Sequence, residues 1–156
     1  MDNERLTLLT DLVAKEIKKA TAPLTLERAR ALSEEIRKEA ARVGVKAVVA
    51  IADQAGHPIL VECMDDAYIA SYDVAVQKAF TVVALKMSTA ALKPLAQPNQ
   101  PLYGIQFTNQ GKIVIFGGGE PLCDAFGNII GGLGVSGGSE EQDTALAAFG
   151  KKVFEQ

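Results

Sequence analysis

The 156-residue chain has no tryptophan, one histidine and two cysteines. A single histidine supports no confident Ser/His/Asp or Cys/His set, since every histidine role falls on His57. Cys63 and Cys123 form no CxxC pair and no zinc-ligand spacing. Both lie in strand-like runs and read as buried, inert thiols of a cytoplasmic protein, although a thiolate there could ligate a soft metal. No HxxxH motif and no phosphate-binding loop is present. Nor is there an excess of positive charge. The 16 Lys and Arg residues against 19 Asp and Glu give a formal net charge of -3, which sets aside a nucleic-acid partner. No apolar run approaches a membrane span, and the N-terminus lacks the pattern of a signal peptide, so no membrane association is expected.

What the chain does have is a 48% hydrophobic content, suited to one compact domain with its own core. Residues 3–20 predict an amphipathic helix. Leu6, Leu9, Val13 and Ile17 recur three and four apart, Leu8 and Leu12 broaden the stripe, and Thr21-Ala22-Pro23 ends it. Such a helix packs either on its own domain or on a partner. Thr25 caps a second helix over 26–43, with Leu26, Ala29, Leu32, Ile36, Ala40 and Val43 as its buried stripe and Gly44 as its stop. Residues 45–52 (VKAVVAIA) and 58–64 predict two strands joined by the turn Asp53-Gln54-Ala55-Gly56. A long helix over 67–90 follows. Ile69, Tyr72, Val76, Phe80, Val83 and Met87 mark its core face, and Ala75 and Ala79 allow close contact with the sheet. Pro94, Pro98 and Pro101 then set an irregular loop of the kind that carries binding sites or interfaces.

The stretch from Gly111 to Asp143 is the richest in glycine. Its runs Ile113 to Phe116, Pro121 to Cys123 and Ile129 to Val135 predict three strands of a tight antiparallel meander. Gly117, Gly118 and Gly119 have no Cβ, so the backbone there can turn sharply and another surface can come close. Ser139 and Gln142 form a capping box for a last helix over 140–154, and the glycine approach to its N-terminus offers backbone N–H groups to an anion. Turns and close sheet packing are the equal alternative role for these glycines. The order helix, helix, two strands, helix, loop, three strands, helix points to an α+β fold.

Three positions carry chemistry on residue type alone. His57, at the tip of the first hairpin, is either an ordinary turn residue or an iron or zinc ligand projected into a cleft. Lys78 lies beside the apolar face of its helix, as a snorkelling surface lysine or as an anchor for an anionic group. Glu140, Glu141 and Asp143 suit the dipole at the start of the last helix.

Four segments carry a family resemblance: LTLERAR, VVAIADQAGHPIL, MDDAYIASYDVAVQKAFTV, and FGGGEPL with GNIIGGLGVSGGSEEQD. Through them the chain from Leu24 onward resembles the GlcG/HbpS-like haem-binding (haem-degrading) family, which also forms the C-terminal part of PduO proteins. The resemblance implies a profilin-like fold, a five-stranded antiparallel sheet flanked by helices, in a symmetric homo-oligomer. Residues 23–156 would form the family domain and residues 1–22 an added amphipathic extension. The implied cofactor is haem, with corrinoid or flavin as other candidates. The implied cofactor-binding residues are His57, Lys78, Gly117, Gly118, Gly119 and Asp143, with His57 on the haem iron; Cys63 joins them as a candidate on its thiol alone. Many relatives have arginine before the Met-Asp pair where this chain has Cys63. That change removes a carboxylate partner and puts a thiol on the strand paired with the His57 turn.

PduO-type proteins belong to bacterial microcompartments, whose cargo is often recruited by a short amphipathic helix. Residues 1–20 are therefore expected to bind a shell or cargo protein, in the cytoplasm or the lumen of such a compartment. Three functions follow from the resemblance: a haem-binding accessory protein serving cobalamin or redox maintenance, an enzyme of haem degradation or corrinoid reduction, or an assembly module without cofactor. The adenosyltransferase activity of PduO belongs to its other half, which the resemblance does not cover.

Overall fold

The structure, a computed structural model, describes residues 3–156; residues 1 and 2 of the expected 1–22 extension lie outside the described residues. Helix α1 runs over Asn3–Ala20 and has no buried residue. Leu6, Leu8, Leu9, Leu12, Val13 and Ile17 are all about half exposed, so the stripe finds no partner in the chain. At its end the Ala20 carbonyl accepts the Ala125 N–H at 3.1 Å, and Arg28 donates to the carbonyls of Ala22 and Pro23.

Helix α2 (Leu26–Arg42) starts where the Thr25 side chain accepts the Arg28 N–H. It buries Ala29, Leu32, Ile36 and Ala40, while the outer ends of the expected stripe, Leu26 and Val43, stay exposed. Strands β1 (Val48–Ala52) and β2 (Pro58–Cys63) form the expected hairpin. Strands β3 (Gly119–Cys123) and β4 (Ile129–Ser136) form a second hairpin, and β1 pairs with β4. The sheet is antiparallel throughout, in the order β2-β1-β4-β3.

Among the described residues the sheet has four strands, not five. The run Ile113 to Phe116, expected as a strand, is buried at Ile113 and Val114 but pairs with no neighbour. Its backbone is bound to a helix side chain instead: the Val114 N–H donates to Thr81 Oγ1 at 3.0 Å.

Successive residues of β1 point to opposite faces. Val49 and Ile51 join Leu133 and Val135 against α2 and α5 (Glu140–Phe154), while Val48, Ala50 and Ala52 meet the other flanking helix, α3 (Ile69–Leu85). The expected single helix over 67–90 is two. Lys86 takes a left-handed conformation (φ 56°), and Ser88 caps a short α4 over Thr89–Leu95.

The close contact of α3 with the sheet at Ala75 and Ala79 is as expected, but the bulky residues of that face are not where the periodicity puts them. It buries Ser71, Ala75, Lys78, Ala79 and Val82; of the bulky stripe Ile69 (96% exposed) and Tyr72 point outward, while Val76, Phe80, Val83 and Met87 are half-buried. Glycines in β4 are the cause. A Cβ on Gly134 would lie 2.0 Å from the Ala75 carbonyl oxygen, and one on Gly132 would lie 2.3 Å from that of Ala79. Helix and strand backbones touch there, so only a small-residue face fits between them.

Candidate functional site

Lys78 lies on the sheet-facing side of α3 and is fully buried. Its ammonium donates to the Val135 carbonyl of β4 at 2.8 Å and to Asp143 Oδ2 of α5 at 3.0 Å. The other Asp143 oxygen accepts the Gly138 N–H at 2.8 Å. One buried ion pair therefore ties together α3, β4 and α5. The Phe116 ring centre stands 5.0 Å from the ammonium. Burial pushes the Lys78 amine below its ordinary pKa, against the pull of Asp143 and Glu140 toward the charged form. The side chain does not snorkel, and both of its hydrogen bonds are to groups of its own chain.

The three glycines wrap this pair. Gly118 has φ +111°, and a Cβ there would lie 2.5 Å from the Lys78 nitrogen and 2.7 Å from the Val135 oxygen, so glycine is required. On either side, the Gly117 N–H donates to Glu140 Oε1 at 2.9 Å and the Gly119 N–H to Thr89 Oγ1 at 2.9 Å. Gly117 and then Lys93 hold the Glu140 carboxyl below the ordinary carboxylate range. Three of the N–H groups expected to be open to an anion are thus occupied within the chain. Gly117 binds Glu140, Gly138 binds Asp143, and Ser139 binds Gln142 in the capping box.

His57 occupies a different environment. Its side chain is 80% exposed, and Nδ1 lies 3.9 Å from Asp53 Oδ2. The other Asp53 oxygen accepts the N–H groups of Ala55 and His57, which fixes the turn. At 3.9 Å the Asp53 carboxylate lies near the ring without hydrogen-bonding it, so the exposed imidazole keeps its nitrogens for a metal.

Cys63, at the other end of β2, is exposed, which corrects the expected burial. At about 3.3 Å per residue it lies roughly 20 Å from His57, too far for one iron to take both from a single chain. It borders a cleft of about 660 Å³ shared with Arg37, Lys46 and Glu62. Cys123 is half-buried, and burial pushes its thiol pKa up.

The structure therefore brings Lys78, Gly117, Gly118, Gly119 and Asp143 together and places His57 and Cys63 apart from them and from each other. Among the described residues, no three His, Cys, Asp or Glu side chains converge as a metal site. Sequence reasoning missed Thr89 and Phe116, whose contacts arise only once α4 and the unpaired 113–116 run pack beside α3.

The model of HbpS-like haem-degrading proteins matches residues 24–151. The chain belongs to that family. This family member is 38% identical over 135 residues to an uncharacterised 15.0 kDa protein of Citrobacter freundii from the dhaT-dhaS intergenic region, covering 86% of this chain and 94% of that one. To the corrinoid adenosyltransferase PduO of Salmonella typhimurium it is 44% identical over 108 residues. That match covers 69% of this chain but only 32% of PduO, about a third of the enzyme's length. The crystal structure of a PduOC:haem complex superposes with a TM-score of 0.81 at 37% identity, covering 86% of this chain and 100% of that one. No helix among the described residues is long and apolar enough to cross a membrane.

Proposed function

We propose that this protein binds haem through His57 and acts as a haem-binding accessory protein of a PduO-type microcompartment. The likeness to the PduOC:haem complex over that chain's whole length carries the reading. His57 suits the group: an exposed imidazole at the tip of a turn whose backbone Asp53 holds by hydrogen bonds. Bound haem would supply a redox-active iron, while the chain supplies the ligand and its orientation.

The test is a haemin titration of purified protein followed by absorption, comparing wild type with His57→Ala. A saturable Soret shift that the substitution alters supports the reading. A saturable shift that it leaves unchanged moves the ligand elsewhere, with Cys63 examined next. Absence of a saturable shift ends the haem reading. The haem-degrading character of the family favours a second reading, breakdown of the bound haem. It requires the Soret band to decay with peroxide or reductant and iron to be released.

The half-exposed aliphatic stripe of α1 supports assigning residues 1–20 to a shell or cargo partner. The outward face of α3, with Ile69 and Tyr72 in solvent, supports a homo-oligomer. Deleting residues 1–20 should leave a folded domain that no longer co-purifies with shells. An unfolded product would make the helix part of the core.

A further inference from the structure

We infer that Phe80 and Lys112 join His57 in one ridge that receives a planar, carboxylate-bearing ring, with Phe80 against the ring and Lys112 on a carboxylate. The inference rests on the haem reading above and extends it to the rest of the ligand.

Three elements meet at this ridge. Gly56, next to His57 in the hairpin turn, has φ +77°, and a Cβ there would lie 2.8 Å from Phe80 Cδ2; the turn backbone sits directly on the ring. Lys112 also brings its ammonium to 5.7 Å from the Phe80 ring centre. The lysine is held there by its backbone. Its carbonyl accepts Thr81 Oγ1 of α3 at 3.3 Å, and the neighbouring Val114 N–H donates to the same hydroxyl. The chain reaches this position through three consecutive left-handed residues, Asn109, Gln110 and Gly111 (φ 49°, 59° and 74°).

Two lysines stand at an aromatic ring among the described residues, Lys78 and Lys112; Lys78 is buried against Asp143, whereas Lys112 is exposed and has no carboxylate beside it. An exposed cation over a half-buried ring, next to an open imidazole, offers the three contacts such a ligand needs. Iron meets the nitrogen, the ring plane meets Phe80, and an acid group meets the ammonium. In the glycine loop the Gly117 and Gly119 N–H groups are taken by Glu140 and Thr89, and Lys78 is paired with Asp143.

The experiment titrates the full chain, as wild type, Lys112→Met and His57→Ala, with haemin, haemin dimethyl ester and metal-free protoporphyrin IX. Absorption follows the first two and fluorescence the third. The Lys112 side chain is exposed and the loop is held by backbone contacts, so Lys112→Met should fold; thermal unfolding by circular dichroism checks this. Lys112→Met should weaken haemin binding about 3- to 5-fold and leave the ester unchanged, because only the acid can pair with the ammonium. Protoporphyrin IX binding should fall with Lys112→Met and stay unchanged with His57→Ala, since no iron is present to ligate. If Lys112→Met binds acid and ester as wild type does while His57→Ala alters the Soret band, the ridge is wrong and the haem reading stands. If wild type shows no saturable haemin binding, the haem reading falls and this inference with it.

Discussion

The Lys78–Asp143 centre and the His57 turn are both built from polar residues on the same small sheet, yet they are opposite in kind. At the first, a lysine and an aspartate are buried, paired with each other and hydrogen-bonded to backbone on both sides. At the second, an imidazole stands 80% exposed with one carboxylate behind it and an open nitrogen. A cluster of motif residues is therefore not by itself a binding site. The buried cluster has satisfied its donors and acceptors internally, and what it does in this geometry is join three elements. Free valence sits where the motif is a single residue on a turn.

The largest effect that tests this contrast comes from Lys78→Met. Removing one partner leaves the Asp143 carboxylate buried without its cation, which costs about 3–5 kcal/mol. Urea unfolding should show that loss directly. His57→Ala should change stability by no more than about 0.5 kcal/mol, because the side chain it removes is mostly in solvent, while still altering the haemin spectrum. The contrast breaks if the two results exchange places. A Lys78→Met protein of wild-type stability that no longer binds haemin would make the buried pair the ligand site.

How much of this was legible in the chain depends on how local each signal is. The limits of α1 and α5 and the Ser139–Gln142 box are set by neighbours within a few residues, and the structure agrees with them. The orientation of α3 is not local. Size alone favours burying Ile69 and Tyr72, but Gly132 and Gly134 on a distant strand leave room only for Ala75 and Ala79. The missing fifth strand has the same character, since Thr81 on a helix holds the backbone of the 113–116 run. For the candidate site, the residue types were readable and their grouping was not. The separation of His57 and Cys63 follows from the strand between them, but no spacing in the chain says that Lys78, Gly118 and Asp143 meet.

The smallest effect comes from Glu140, which closes the glycine loop from the exposed side. It accepts the Gly117 N–H and pairs with Lys93, and these contacts hold its pKa below the ordinary value of 4.5. A carboxyl that binds its proton less readily folded than unfolded contributes fully above the unfolded value and loses that contribution as pH falls through the folded one. Glu140→Gln keeps an acceptor for Gly117 but loses the charge, so at neutral pH it should cost less than about 1 kcal/mol, given a pair open to solvent. That gap should narrow below about pH 4.5 as wild type itself becomes protonated. Urea unfolding of both proteins from pH 7 into this acid range measures it. A gap that stays constant through acid would mean that shape, not charge, holds Gly117.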